Sequence, residues 1–185
     1  MQALRQADLV VAVGAELEQG WLPPAAEGSA NRRILPGGPG YFEAAMAVSR
    51  IDINANADRS QGDVHPQGNP HIQLDPLRLA EAAAALAVRL GKLDAAHAAD
   101  FQARALAFRQ AVDARMPGWQ KLAANSPGIM LYHKDGNYLL ARFNLSALGY
   151  IEPLPGIPPS ATHILKLVRE QRGRKGVILH TVYQG

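Results

Sequence analysis

Two long stretches of the chain carry apolar residues at helical spacing, and they give the clearest structural signal in the sequence. The first stretch, Pro76–Leu90, has Asp75 in position to cap it, a proline in its first turn and Gly91 at its end. The second stretch covers residues 94–115 and is expected to stop before Pro117. The pattern therefore predicts two consecutive helices in the middle of the chain.

Short apolar runs flank this helical centre and are typical of strands. The predicted strands are Asp8–Val13, Arg33–Leu35, Ile129–Tyr132, Leu148–Ile151 and Gly176–Thr181, with helices at Met1–Gln6, Asn137–Phe143 and Ala161–Gln171 and a short helical turn at Glu16–Pro24. Strands that alternate with helices indicate an α/β fold, here with two parallel-sheet lobes joined by a long linking helix. We expect the N-terminal lobe at residues 1–92, the linking helix at 93–118 and the C-terminal lobe at 119–185.

Both lobes are expected to be incomplete. The last strand, Val177–Thr181, has no helix after it, although a parallel strand requires cover on both faces. The first predicted strand, Asp8–Val13, reads as buried on both faces and directly follows the tail of a helix. We therefore expect a fragment that is truncated at both ends, or a chain whose second copy supplies the missing cover.

The composition fits a globular domain and argues against several kinds of partner. Of the 185 residues 48% are apolar, and no apolar run approaches the roughly 18 residues that a membrane span requires. The N-terminus does not read as a secretion signal. The 19 basic and 16 acidic residues are scattered, so nucleic acid is not an expected partner. Since the chain has no cysteine, any metal must be held by imidazole, carboxylate or water.

The candidate metal chemistry depends on histidines in or next to loops. A long loop at residues 36–76 contains the segment Gly62–Pro76, GDVHPQGNPHIQLDP, in which His65 and His71 each stand beside a proline. Prolines stiffen a loop and can hold an imidazole in one orientation, as a metal site requires. Spacing alone slightly favours solvated surface histidines over metal ligands, and both interpretations stay open at this point.

A third histidine, His133, follows the predicted strand Ile129–Tyr132. The carboxyl end of a parallel strand is where open α/β sheets bind ligands, although a strand-end histidine that only hydrogen-bonds a loop is nearly as good an explanation. His180 could face the same crevice, but it is expected to be buried and hydrogen-bonded in the last strand. His97 and His163 lie among polar neighbours on helices, and we expect them to be exposed and without a role.

Motifs in four segments resemble those of the metal-specific solute-binding proteins of ABC transporters, the periplasmic zinc- and manganese-uptake family. The segments are ADLVVAVGAELEQGWL at Ala7–Leu22, GNPHIQLDP at Gly68–Pro76, YHKDGNYLLARFNL at Tyr132–Leu145 and GIPPSATHILKLV at Gly156–Val168. The resemblance covers nearly the whole chain in the right order, and ordered motifs are together more specific than any one of them.

The resemblance implies two lobes that hold one divalent metal ion between them, with His71 and His133 as two of its ligands. Neutral imidazoles suit zinc, and an added carboxylate shifts the preference toward harder ions, so we expect zinc, with manganese or iron as alternatives. Members of this family deliver the metal to an ABC permease in the inner membrane, which implies a periplasmic location and no enzymatic activity. Since imidazole binds metal in its neutral form, capture is expected to weaken at acidic pH.

The chain also departs from the family's pattern. That pattern has a ligand histidine upstream of Asp8–Val13 and a carboxylate ligand well downstream of Val177–Thr181, and the sequence contains neither. His65 has no place in the standard pattern and is expected either to substitute as a ligand or to belong to a metal-gathering loop. Two imidazoles leave most of a tetrahedral shell to water, so we expect weak zinc binding unless copies in a homo-oligomer complete each other's site.

Two other functions stay open. A metal-dependent hydrolase would need an open coordination position and a general base, but the sequence has no HExxH motif, nucleophile elbow or phosphate-binding glycine loop. An adhesin-like surface interaction protein could use the same fold without metal. The metal content of the purified protein distinguishes these functions from transport.

Overall fold

The computed structural model describes residues 2–54, 56 and 64–184. Gly62 and Asp63, at the start of the histidine-containing loop segment, lie outside the described residues. In chain order the helices and strands are α1 (Gln2–Gln6), β1 (Val10–Ala12), α2 (Leu22–Gly28), β2 (Tyr41–Glu43), α3 (Pro76–Leu93), α4 (Ala98–Ala124), β3 (Gly128–Leu131), α5 (Asn137–Phe143), β4 (Ala147–Tyr150), α6 (Ala161–Glu170) and β5 (Gly176–Leu179). Within the described part, no helix is long and apolar enough to cross a membrane.

The strands form two parallel sheets, which confirms the predicted α/β class. In the first sheet β1 pairs with β2, with Val11 opposite Phe42. In the second sheet β3 lies between β4 and β5, with Leu131 opposite both Tyr150 and Leu179. Because all the strands of this sheet run in the same direction, the residues that follow β3 and β4 come out at the same edge.

The outer strands are less buried than we predicted from their apolar sequences. Val11 in β1 is 54% exposed, so the predicted burial of this strand on both faces is wrong, and Ile178 in the last strand β5 is 60% exposed. In contrast, Ile129 and Leu131 of the central strand β3 are buried. The difference follows from what packs on the faces, since Ile129 and Leu131 belong to a core cluster with Leu140 of α5.

Helix α3 begins where its sequence signals predict. The Asp75 side chain accepts a hydrogen bond from the backbone N–H of Leu77 at 3.0 Å and also caps the N–H of Arg78, and Pro76 occupies the first helical turn. The helix continues through Gly91 to Leu93, slightly further than predicted.

Helix α4 does not stop before Pro117, and that prediction is wrong. The helix continues through Pro117 to Ala124. A proline in a helix removes one backbone hydrogen bond and crowds the preceding turn. Burial offsets this penalty here, because Met116 is buried beside Ala80 of α3 and Trp119 packs against the same cluster.

Three further local predictions in the N-terminal part are also wrong. The predicted strand Arg33–Leu35 is a single 3₁₀ turn at Arg32–Ile34, because the Asn31 side chain accepts from the Arg33 N–H and starts a turn there. The predicted loop contains β2, whose pairing with β1 the sequence did not indicate. In addition, the prolines after Leu22 begin α2 instead of ending a helical turn.

One core cluster joins the two halves of the chain. Tyr138 of α5 is fully buried and packs with the small or aliphatic side chains of Ala15, Ala45, Ile72 and Ala82. Its residues come from both sides of the helical centre, so this cluster fixes the loop that carries His71 against the C-terminal part of the chain.

Candidate metal-binding site

His71 lies between two rigid elements of the N-terminal half. Pro70 before it is fully buried, and a 3₁₀ turn at Ile72–Leu74 follows it and leads directly into the α3 cap. The backbone N–H of His71 donates to the Asn69 side-chain oxygen at 3.0 Å. This bond fixes the backbone of His71. The residue is half-buried, so its ring can reach solvent.

His133 follows the carboxyl end of β3, where the sheet geometry predicts a ligand site. Its Nδ1 lies 2.7 Å from Oε2 of Glu152, and both side chains are 14% exposed. The same carboxylate oxygen accepts from the backbone N–H of Gly156 at 3.2 Å. When Nδ1–H donates to this carboxylate, Nε2 keeps a lone pair that can bind a metal.

The structure brings His71 and His133 together, although they come from different halves of the chain. Their ring centroids are 5.4 Å apart and their planes are nearly perpendicular, at 89°. Both rings line one pocket, and the half-buried His65 lines it as well. All three histidines that the sequence offered as candidate ligands therefore line the same pocket.

The pocket also contains groups that the sequence reading missed. Asp52 contributes a carboxylate to the pocket wall and has a left-handed backbone with φ 56°. Its Oδ2 accepts hydrogen bonds from the side-chain amides of Asn69 at 3.1 Å and Asn137 at 2.7 Å. In the part of the chain that the structure describes, no group of three or more histidine, cysteine, aspartate or glutamate side chains is already arranged around a metal position. The pocket thus brings ligand types together without a finished coordination shell.

The sequence matches the model of one protein family. That family is ZnuA, the periplasmic zinc-uptake complex component A, and its model matches residues 1–180. The chain belongs to this zinc-uptake family. None of the curated protein sequences matches the chain significantly.

Solved structures that resemble this member of the zinc-uptake family support the same fold. ZnuA matches with a TM-score of 0.71 at 21% identity over 92% of this chain and 62% of its own. A zinc-bound AdcAII variant of Streptococcus pneumoniae matches with a TM-score of 0.71 at 23% identity, covering 95% of this chain and 65% of that one. FpvC of Pseudomonas aeruginosa, in complex with Mn²⁺, matches with a TM-score of 0.68 at 22% identity, covering 95% and 62%. The chain therefore spans less than two thirds of the length of these proteins.

The remaining histidines of this zinc-uptake family member lie away from the pocket wall. His97 is exposed, as predicted, and its Nδ1 lies 2.7 Å from Asp94. His163 is only half exposed, because its Nε2 lies 3.0 Å from the carbonyl oxygen of Tyr150. His180 is exposed, so the expectation of a buried histidine in the last strand is wrong.

Glu152 could have been found from the sequence, given the strand pairing. It comes two residues after the end of β4, and His133 comes two residues after the end of β3. Because neighbouring parallel strands end at the same edge, a carboxylate there is a natural partner for His133. Asp52 had no comparable signal, since it lies in a loop without periodicity.

Proposed function

We propose that this chain carries the metal-capturing pocket of a solute-binding protein, with His71 and His133 as ligands of one divalent transition-metal ion. The observation that carries the proposal is the 5.4 Å separation of the two imidazole rings, which come from opposite halves of the chain. In this proposal the lobe at residues 1–92 supplies His71, the lobe at 119–185 supplies His133, and the helix predicted at 93–118 joins them.

Zinc is the preferred cargo in this proposal, and manganese is the alternative. Neutral imidazole nitrogens bind zinc at about 2.0–2.1 Å, and zinc tolerates a mixed shell of nitrogen and oxygen ligands. Zinc-bound AdcAII and manganese-bound FpvC, which have the same fold, support this choice. The charge of Asp52 beside the imidazoles favours a cation in the pocket, and carboxylate oxygen suits manganese.

His65 is proposed as an additional ligand because it shares the pocket with His71 and His133. A third imidazole would replace one water in the shell and tighten binding. The His71 N–H bond to Asn69 and the contact of His133 with Glu152 hold two of the three histidines in place beside it.

We infer that the chain acts in the periplasm and delivers the ion to an ABC permease of the inner membrane, and membership of the zinc-uptake family supports this inference. In this role the protein binds and releases its cargo unchanged, so no catalytic residue is proposed.

Isothermal titration with zinc and with manganese tests the proposal. We expect one weak zinc site per chain, its loss in His71→Ala and in His133→Ala, and a reduced affinity in His65→Ala. His97→Ala is the matched control, because that exposed histidine lies away from the pocket, and it should bind as the wild type does. Absence of zinc and manganese binding in the wild type, or full binding in the His71/His133 double variant, would contradict the proposed function.

A further inference from the structure

The side chain of Asn69 forms hydrogen bonds with both loops that carry the candidate ligands. Its Oδ1 accepts from the backbone N–H of His71 at 3.0 Å, and its Nδ2 donates to the carbonyl oxygen of Lys134 at 2.8 Å. Lys134 is the residue directly after His133. A second donation runs from Nδ2 to Oδ2 of Asp52 at 3.1 Å. The amide therefore uses its oxygen for one histidine loop and its two N–H groups for the other loop and for the pocket wall.

The backbone of Asn69 is held as firmly as its side chain. Its N–H donates to the carbonyl oxygen of Ile51 at 2.9 Å, and its carbonyl oxygen accepts from the buried hydroxyl of Tyr138 at 2.7 Å. Asn69 is only 6% exposed. Leaving a buried polar group without its hydrogen-bond partners costs free energy. These hydrogen bonds therefore hold Asn69 in one position.

Asp52 reinforces the same connection from a second direction. The carboxylate oxygen that accepts from Asn69 also accepts from Nδ2 of Asn137, on the first turn of α5. Asn137 in turn accepts from the Tyr150 hydroxyl at 2.9 Å. The connection from the His71 loop therefore extends to α5 and β4, the elements that surround His133.

We propose that Asn69 is a positioning residue that sets the separation of the two imidazoles before the metal arrives. This inference rests on the proposed function of His71 and His133. If the bond to Lys134 is lost, the His133 loop gains freedom relative to the His71 loop, and a smaller fraction of molecules holds both rings ready to bind. The apparent affinity falls by that fraction. Groups that orient metal ligands from outside the shell typically contribute about 10–100-fold to metal affinity.

The substitution Asn69→Ser tests the connection between the loops. A serine hydroxyl can still accept from the His71 N–H in a local turn, but it is too short to reach the Lys134 carbonyl oxygen. We expect the Kd for zinc to rise about 10-fold. Asn31→Ser is the matched control, because the Asn31 amide also makes three hydrogen bonds, to Leu4, Ala7 and Arg33, none of which lines the pocket. The proposal is overturned if the Kd is unchanged in Asn69→Ser, or if it rises equally in both variants.

A second measurement needs no metal and so separates this inference from the proposed function. In NMR spectra of the metal-free protein, the side-chain signal of His133 should shift or broaden in Asn69→Ser and stay at its wild-type position in Asn31→Ser. A change at His71 alone would indicate only a local turn effect and would overturn the proposal. If Asn69→Ser does not fold, the isosteric Asn69→Asp takes its place in the NMR measurement, because it keeps the acceptor for His71 and loses the donor to Lys134. A wild-type His133 signal in Asn69→Asp would overturn the proposal, whether or not the wild type binds zinc.

Discussion

Arg142 donates two hydrogen bonds to the buried carboxylate of Asp75, from Nε to Oδ1 at 2.7 Å and from Nη2 to Oδ2 at 2.8 Å. Arg78 pairs with the same carboxylate. Asp75 is also the N-cap of α3 and comes four residues after His71, whereas Arg142 lies on α5. A single carboxylate therefore ties the start of α3 to the helix that follows the His133 loop.

Loss of this ion pair should destabilise the fold. Arg142→Ala leaves a fully buried carboxylate with Arg78 as its remaining charged partner, so we expect the free energy of unfolding to fall by about 2–3 kcal/mol. Urea denaturation followed by circular dichroism measures the change. Arg109→Ala is the control, because it breaks an exposed pair with Asp113 on α4, which should matter by about 0.5 kcal/mol at most. Equal losses of unfolding free energy in the two variants would show that the buried pair stabilises the fold no more than an exposed pair does.

The stability of the protein should depend on the ionisation of Asp75 at low pH. Burial alone would raise the pKa of Asp75, but the hydrogen bonds from Arg142 and Arg78 outweigh burial and hold its pKa below the ordinary value. A carboxyl with a lowered folded-state pKa stabilises the protein above its unfolded-state pKa, and this contribution is lost as the pH falls through the folded-state pKa. We expect the free energy of unfolding to decrease below about pH 4, with a smaller decrease in Arg142→Ala. Urea titrations between pH 3 and 7 test this, and identical pH profiles would contradict it.

Glu152 should affect metal affinity without binding the metal itself. Its carboxylate lies 2.7 Å from Nδ1 of His133 and so holds the ring in one orientation. Glu152→Gln removes the charge and keeps the size, and we expect the Kd for zinc to rise about 10-fold in isothermal titration. Glu170→Gln, at an exposed pair with Lys166 on α6, should bind zinc as the wild type does. An unchanged Kd in Glu152→Gln would mean that the charge of the partner at Nδ1 does not affect metal affinity.

Two glycines should respond to alanine with opposite signs. Gly14 has φ 84°, and a Cβ there would lie 2.6 Å from Cβ of Glu43, so Gly14→Ala should destabilise by about 2 kcal/mol. Gly118 lies inside α4 with no atom within 4 Å of an added Cβ, so Gly118→Ala should stabilise by about 0.5–1 kcal/mol. Urea denaturation of both variants decides the matter, and a loss of stability in Gly118→Ala would contradict the account of α4.

Elements with local signals could be predicted from the sequence, and elements that depend on distant contacts could not. The start of α3 is set by Asp75 and Pro76, which act within one helical turn. The end of α4 depends on Met116 and Trp119, whose packing partners lie elsewhere in the chain, so the proline signal at 117 was misleading. Strand β2 depends on pairing with β1, about 30 residues earlier, and its own three residues carry no strand pattern that predicts it.

In the candidate site, too, some residues could be predicted from the sequence and others could not. Motif resemblance was enough to select His71 and His133, but their separation depends on Asn69, whose bonds reach across 65 residues to Lys134. Glu152 lies 19 residues after the histidine it orients, and only the pairing of β3 with β4 brings them together. The candidate ligands were therefore accessible from the sequence, whereas the residues that contact and orient them required the fold.

The Tyr138 hydroxyl has a consequence for how the protein opens. Besides donating a hydrogen bond to Asn69, it accepts one from the backbone N–H of Ile51 at 3.3 Å. Ile51 lies 87 residues earlier in the chain. The Ile51 amide is in a loop, and amides in loops usually exchange with solvent deuterium through small local fluctuations. This one is protected by a side chain anchored in the shared core, so its exchange rate should report the concerted separation of the two halves of the molecule.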